Sequence, residues 1–66
     1  MNPAEIGQKL RELRGERTQK EVCDATGIKQ TALSNYEMGI RIPRDETKLK
    51  LANYYGVSTA SLFFGI

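Results

Sequence analysis

Four glycines do most to limit what this chain can become. Gly15, Gly27, Gly39 and Gly56 each follow a run whose apolar residues recur at helical spacing. Glycine takes up the positive-φ backbone that ends a helix at little cost, so each position reads as a stop. The 66 residues are thereby cut into five short helical segments, each too short to be stable without packing on its neighbours. The starts agree with the stops. Asn2 before Pro3, with Glu5 following, is a capping asparagine, a proline tolerated at the first helical position and an acid at the positive dipole end. Ile6, Leu10 and Leu13 then form one apolar stripe up to Gly15.

Thr18-Gln19-Lys20-Glu21 has the pattern of a capping box and opens a second helix, with Val22, Cys23 and Thr26 inward and Gly27 at its end. A third helix is expected from about Gln30 to Met38, with Leu33 and Tyr36 inward and a poor capping residue, Lys29, at its start. Pro43 keeps the connector extended. The fourth helix is expected from Asp45 to Tyr55, with Leu49, Ala52 and Tyr55 on one side and Leu51 beside them. Ser58 caps a fifth, which returns Leu62 and one phenylalanine to the core. Strand alternation and internal repeats are absent from the sequence. The expectation is an all-α fold, a compact five-helix bundle forming a single domain over residues 1–66.

Composition removes several function classes. The chain has no histidine and a single cysteine, Cys23, so it lacks the usual general base, the usual metal ligands and an internal disulfide. Its acids form no recognisable catalytic pair. The reading is therefore not an enzyme, with no metal, cofactor or small-molecule substrate. The start, Met-Asn-Pro-Ala-Glu, lacks both the basic region and the apolar core of a leader. The longest apolar stretch, Leu62-Phe63-Phe64-Gly65-Ile66, is far too short to span a bilayer. A cytoplasmic protein without a membrane partner is expected.

Charge says more by its placement than by its sum. The net charge is +2 and the isoelectric point about 8.9. From Lys29 to Arg44, however, Lys29, Arg41 and Arg44 stand against Glu37 alone, a basic edge that suits a polyanion. Beside it, helix 3 turns Gln30, Thr31, Ser34 and Asn35 to solvent, a patch with no charge and many hydrogen-bonding groups. Gly27 supplies the tight turn between the second and third helices, and Cys23, a small residue four positions earlier, lies where those helices are expected to come closest.

The stretch from Gln19 to Met38 resembles the helix-turn-helix of the Cro/phage-repressor (Xre-type) family. Matches continue through Ile6, Leu10-Arg11-Glu12-Leu13-Arg14, Thr18-Gln19, Gly27, Tyr36-Glu37-Met38-Gly39, Pro43, Leu51-Ala52 and Gly56-Val57-Ser58 to Leu62. The resemblance implies a lambda-repressor-like fold and sequence-specific binding of double-stranded DNA in transcriptional control, with repression as the expected sense. It implies that helix 3 enters the major groove, with Gln30 as the leading base contact and Thr31, Ser34, Asn35 and Lys29 as further ones. Gln19, Arg41 and Arg44 are the implied phosphate contacts, with Arg17, Lys20 and the Tyr36 hydroxyl as lesser candidates. Arg14 and Glu37 are implied to form a structural salt bridge. The chain departs from the family pattern at Asp45 and Lys48, often leucine, at Ser61, often aromatic, and in a short Gly15-Glu16-Arg17 connection.

The tail offers more apolar surface than one short helix is expected to hide. Phe63, Phe64 and Ile66 are therefore the candidate two-fold interface of a homodimer bound to a pseudo-palindromic operator. The alternative function is a protein-interaction module, such as an antitoxin or controller subunit.

Overall fold

A computed structural model describes residues 2–64, except the Phe64 side chain. Five α-helices and no strands form among the described residues. Asn2 Oδ1 accepts the Glu5 amide at 2.9 Å and opens α1 (Pro3–Arg14). Thr18 Oγ1 accepts the Glu21 amide at 3.1 Å and opens α2 (Gln19–Thr26). Lys29 precedes α3 (Gln30–Glu37) without a side-chain cap. Arg44 likewise precedes α4 (Asp45–Tyr55). Ser58 Oγ accepts the Ser61 amide at 3.0 Å ahead of α5 (Thr59–Phe64).

The turn between α2 and α3 depends on Gly27, at φ 77° and ψ 6° in the left-handed helical region. A Cβ there would meet nothing within 4 Å, so the requirement is purely conformational. Gly15 ends α1 differently from expectation. Its φ of 58° is positive, but its ψ of −126° lies outside the left-handed helical well.

Ile6, Leu10, Val22, Ile28, Leu33, Leu51, Ala52, Leu62 and Phe63 form the buried core, drawn from all five helices and the α2–α3 turn. Leu13, Cys23, Tyr36 and Tyr55 pack against it half-buried. Two expectations need correction. Leu49 was expected inward but is 55% exposed. The inward arc of α4 is instead Lys48, Leu51, Ala52 and Tyr55, at i, i+3, i+4 and i+7, and Leu49 falls outside it.

The second correction concerns the tail. Phe63, a candidate for the dimer interface, is 2% exposed within its own chain and is the one phenylalanine expected to join Leu62 in the core. The Phe64 side chain and Ile66 lie outside the described residues. Close backbone approach occurs at Gly7 in the middle of α1, a position that sequence reading passed over. A Cβ at Gly7 would sit 2.5 Å from the Glu37 carbonyl oxygen and 2.7 Å from that of Tyr36. Only glycine lets α1 lie against the end of α3.

Candidate nucleic-acid interface

The start of α2 and the outer face of α3 meet in an open concavity lined by Gln19, Gln30, Thr31, Ser34 and Asn35. Gln30 and Thr31 are exposed, while Ser34, Asn35 and Gln19 are half-buried at its walls. Every lining side chain is uncharged and both donates and accepts hydrogen bonds. The helical period brings Gln30, Thr31, Ser34 and Asn35 to one face, because positions i, i+1, i+4 and i+5 span a narrow arc. The Gly27 turn sets that face beside the first residue of α2.

A network of charged and polar side chains holds the two elements in register. Arg14 Nε donates to Glu37 Oε2 at 2.8 Å and Arg14 Nη2 to Glu37 Oε1 at 3.0 Å. The pair ties α1 to the last residue of α3. Glu37 is 2% exposed, so its charge is viable only with this partner. The hydrogen bond to Glu37, more than any other influence, holds the Arg14 guanidinium protonated above its ordinary range. Gln19 Nε2 donates to the same Oε1 at 3.0 Å, joining α2. Arg11 Nη1 donates to the Glu37 carbonyl oxygen and satisfies an acceptor at the α3 terminus. The bonds from Gln19 and Arg11 have no local signature, since their partners lie far along the chain.

The basic candidates divide into two groups. Lys29, Arg41 and Arg44 are exposed beside α3 and at the start of α4. The Arg41 and Ile40 amides both donate to the Asn35 carbonyl oxygen, at 3.3 and 2.9 Å, which fastens the connector to the end of α3. Arg17 and Lys20 are engaged elsewhere. The Arg17 guanidinium lies 5.4 Å from the Tyr54 ring centroid and 5.8 Å from that of Tyr55, and Nη1 donates to the Leu13 carbonyl at 3.4 Å. Lys20 pairs with Asp24 at 2.8 Å, which holds its ammonium protonated above the ordinary range. Both partners are exposed, so that pair adds little stability. Tyr36 is half-buried against the core, and its carbonyl lies over Gly7.

Among the described residues, no group of histidine, cysteine or acidic side chains is placed to hold a metal ion. Burial, the largest influence, raises the Cys23 thiol above its ordinary range and makes it a poor nucleophile. No helix of the described residues is long and apolar enough to cross a membrane.

Two curated relatives are similar to this chain in sequence. The HTH-type transcriptional regulator ImmR of Bacillus subtilis (strain 168) is 45% identical over 56 residues, covering 82% of this chain and 44% of that protein. The cryptic phage CTXphi transcriptional repressor RstR of Vibrio cholerae is 43% identical over 59 residues, covering 86% of this chain and 53% of that one. The chain thus spans about half the length of the curated relatives it matches. No solved structure matches it. The helix-turn-helix family model matches residues 8–62, which takes in the α2–turn–α3 unit, the Arg14–Glu37 pair and the packing helices. The chain belongs to the Cro/phage-repressor-like (Xre-type) helix-turn-helix family of transcriptional regulators.

Proposed function

We propose that residues 1–66 act as a single DNA-binding unit that represses transcription, two copies sharing a pseudo-palindromic operator. The observation that carries this reading is the uncharged polar concavity of Gln19, Gln30, Thr31, Ser34 and Asn35, flanked by the exposed cations Lys29, Arg41 and Arg44. Neutral groups that both donate and accept match base edges, whereas cations match phosphates. α3 enters the major groove, and the two copies place it in half-sites one helical turn apart, about 34 Å. Gln30 reads adenine through its amide, with Thr31, Ser34 and Asn35 beside it. Arg41 and Arg44 grip the flanking backbone. One of the two relatives is itself named a transcriptional repressor, which supports repression as the sense of control.

The test is selection of preferred sites from random duplex DNA, followed by titration of variants on the winning duplex. Gln30→Ala costs about 1–3 kcal/mol there and relaxes preference at one base pair. Arg41→Ala weakens binding to cognate and random duplexes alike and lowers the salt slope by about one. Equal losses on both duplexes for Gln30→Ala would remove base readout from that residue.

A further inference from the structure

Glu37 is the only charged side chain buried among the described residues, and Arg14 alone suffices to neutralise it. The carboxylate nevertheless makes a third side-chain bond, from Gln19 Nε2 at 3.0 Å. Gln19 is also the one member of the polar concavity contributed by α2. We infer that Glu37 is a positioning residue for DNA recognition, fixing through this hydrogen bond which end of the Gln19 amide is offered to the duplex. The inference rests on the DNA-binding reading above.

The physical reason is the chemistry of the two groups. An ionised carboxylate only accepts, whereas a glutamine amide has a donor end and an acceptor end of nearly the same shape. The final glutamine torsion is broad, so a glutamine on an open helix start offers either end. Beside Glu37 that freedom is lost. The NH2 group must face the carboxylate, which leaves Oε1 and one N–H for the concavity.

Phosphate oxygens accept and do not donate. Gln19 therefore has one donor left for backbone contact, together with an acceptor suited to a base amino group or to the Gln30 amide. Arg14 makes the arrangement rigid by holding both carboxylate oxygens, at 2.8 and 3.0 Å. The ion pair thus acts on a surface it does not itself line.

The experiment is a double-mutant cycle on the duplex selected above. Glu37→Gln keeps the size of the side chain. The replacement amide has one oxygen for the three donors that the carboxylate serves, so the Gln19 amide loses its fixed acceptor and is free to turn. Operator affinity is expected to fall roughly fivefold, the scale of one hydrogen bond. In a Gln19→Ala background the same change is expected to alter affinity less than about twofold, because no amide remains to be turned. Glu37→Gln removes the same negative charge in both backgrounds, so any change in salt slope is expected to be alike in the two. The fall in thermal midpoint is expected to be alike in both.

Equal affinity losses in the two backgrounds, or none in either, would overturn the inference and leave the pair a fold-holding device. Absence of any preferred duplex would sink the DNA reading and this inference with it. Should Glu37→Gln not fold, the unaltered protein still decides. One Gln19 Nε2 proton is expected to exchange with water markedly more slowly than the other by nitrogen-15 NMR, and two equally fast protons would overturn the assignment.

Discussion

The first three helices add directional contacts to their share of the apolar core, whereas the last two rely chiefly on that core. α1 meets α3 backbone to backbone at Gly7. Arg11 and Arg14 clasp the last residue of α3, and Gln19 fastens α2 to the same residue. These contacts are directional, and each fixes an element to a fraction of an ångström. α4 and α5 dock chiefly by burying Leu51, Ala52, Leu62 and Phe63, with the Lys9 Nζ bond to the Ser61 carbonyl at 2.7 Å and the Arg17 guanidinium over the Tyr54 and Tyr55 rings beside them. Apolar burial rewards area and is indifferent to direction. Met38, Ile40, Ile42 and Leu49 stay exposed on the connector and on α4. The half that carries the polar concavity is therefore set largely by geometry, and the half that supports it by bulk.

Gly7→Ala attacks that contrast hardest. Inside an isolated helix the change would stabilise by about 1 kcal/mol. Here the added methyl group would stand 2.5 and 2.7 Å from two carbonyl oxygens of α3, both backbone atoms that cannot swing away. Overlap of this kind reverses the sign, and a net loss of about 2–3 kcal/mol is expected by urea denaturation. A neutral or stabilising result would show that α1 and α3 can slide apart. The directional half would then be no more rigid than the rest.

A smaller effect is expected where the halves meet. The Tyr55 hydroxyl is buried without a hydrogen-bond partner among the described residues, within electrostatic reach of Glu37 and Arg14. Burial, and next the charge on Glu37, push its ionisation up to about 12 from an ordinary 10.0. The folded chain holds this proton more tightly than the unfolded chain does. Stability is therefore retained below pH 10 and falls as pH rises from about 10 towards 12. Tyr55→Phe removes an unsatisfied group and is expected to raise stability by about 1 kcal/mol at pH 8. It is also expected to flatten the decline above pH 10, read as denaturation midpoints at pH 8 and 11. A loss at pH 8 would mean that the hydroxyl serves the seam.

What was legible in the sequence was local. Asn2, Thr18 and Ser58 cap their helices, and Gly27 and Gly56 close theirs in left-handed geometry, because those signals act within four residues. The face of Gln30, Thr31, Ser34 and Asn35 follows from helical spacing alone. The Arg14–Glu37 pair spans 23 positions, and the sequence suggested it only through family resemblance. Gly7 escaped because nothing near it in the chain explains a glycine there; its reason is the backbone of α3. Which phenylalanine of α5 turns inward was not legible, because Phe63 and Phe64 are neighbours of equal size and polarity. The fold was thus largely readable, while the bonds that orient the site were not.

Leu49 carries the smallest effect, and the reason lies in its neighbour Lys48. Lys48 stands where the family pattern often has leucine. Its side chain is only 19% exposed, and its ammonium lies 5.5 Å from the Phe63 ring centroid. The ammonium lies over the ring and 3.6 Å from Asp45 Oδ1, so a lysine fills a position suited to leucine while its charge keeps partners. Rotating the inward face onto Lys48 turns Leu49 outward. Leu49→Gln should therefore change stability by no more than about 0.5 kcal/mol, because a half-exposed side chain loses little burial. Leu51→Ala on the next turn, which empties a fully buried site, should cost about 2–5 kcal/mol. Similar losses at the two positions would mean that α4 is rolled from the orientation described here, taking with it the claim that the supporting half is held by the burial of Leu51.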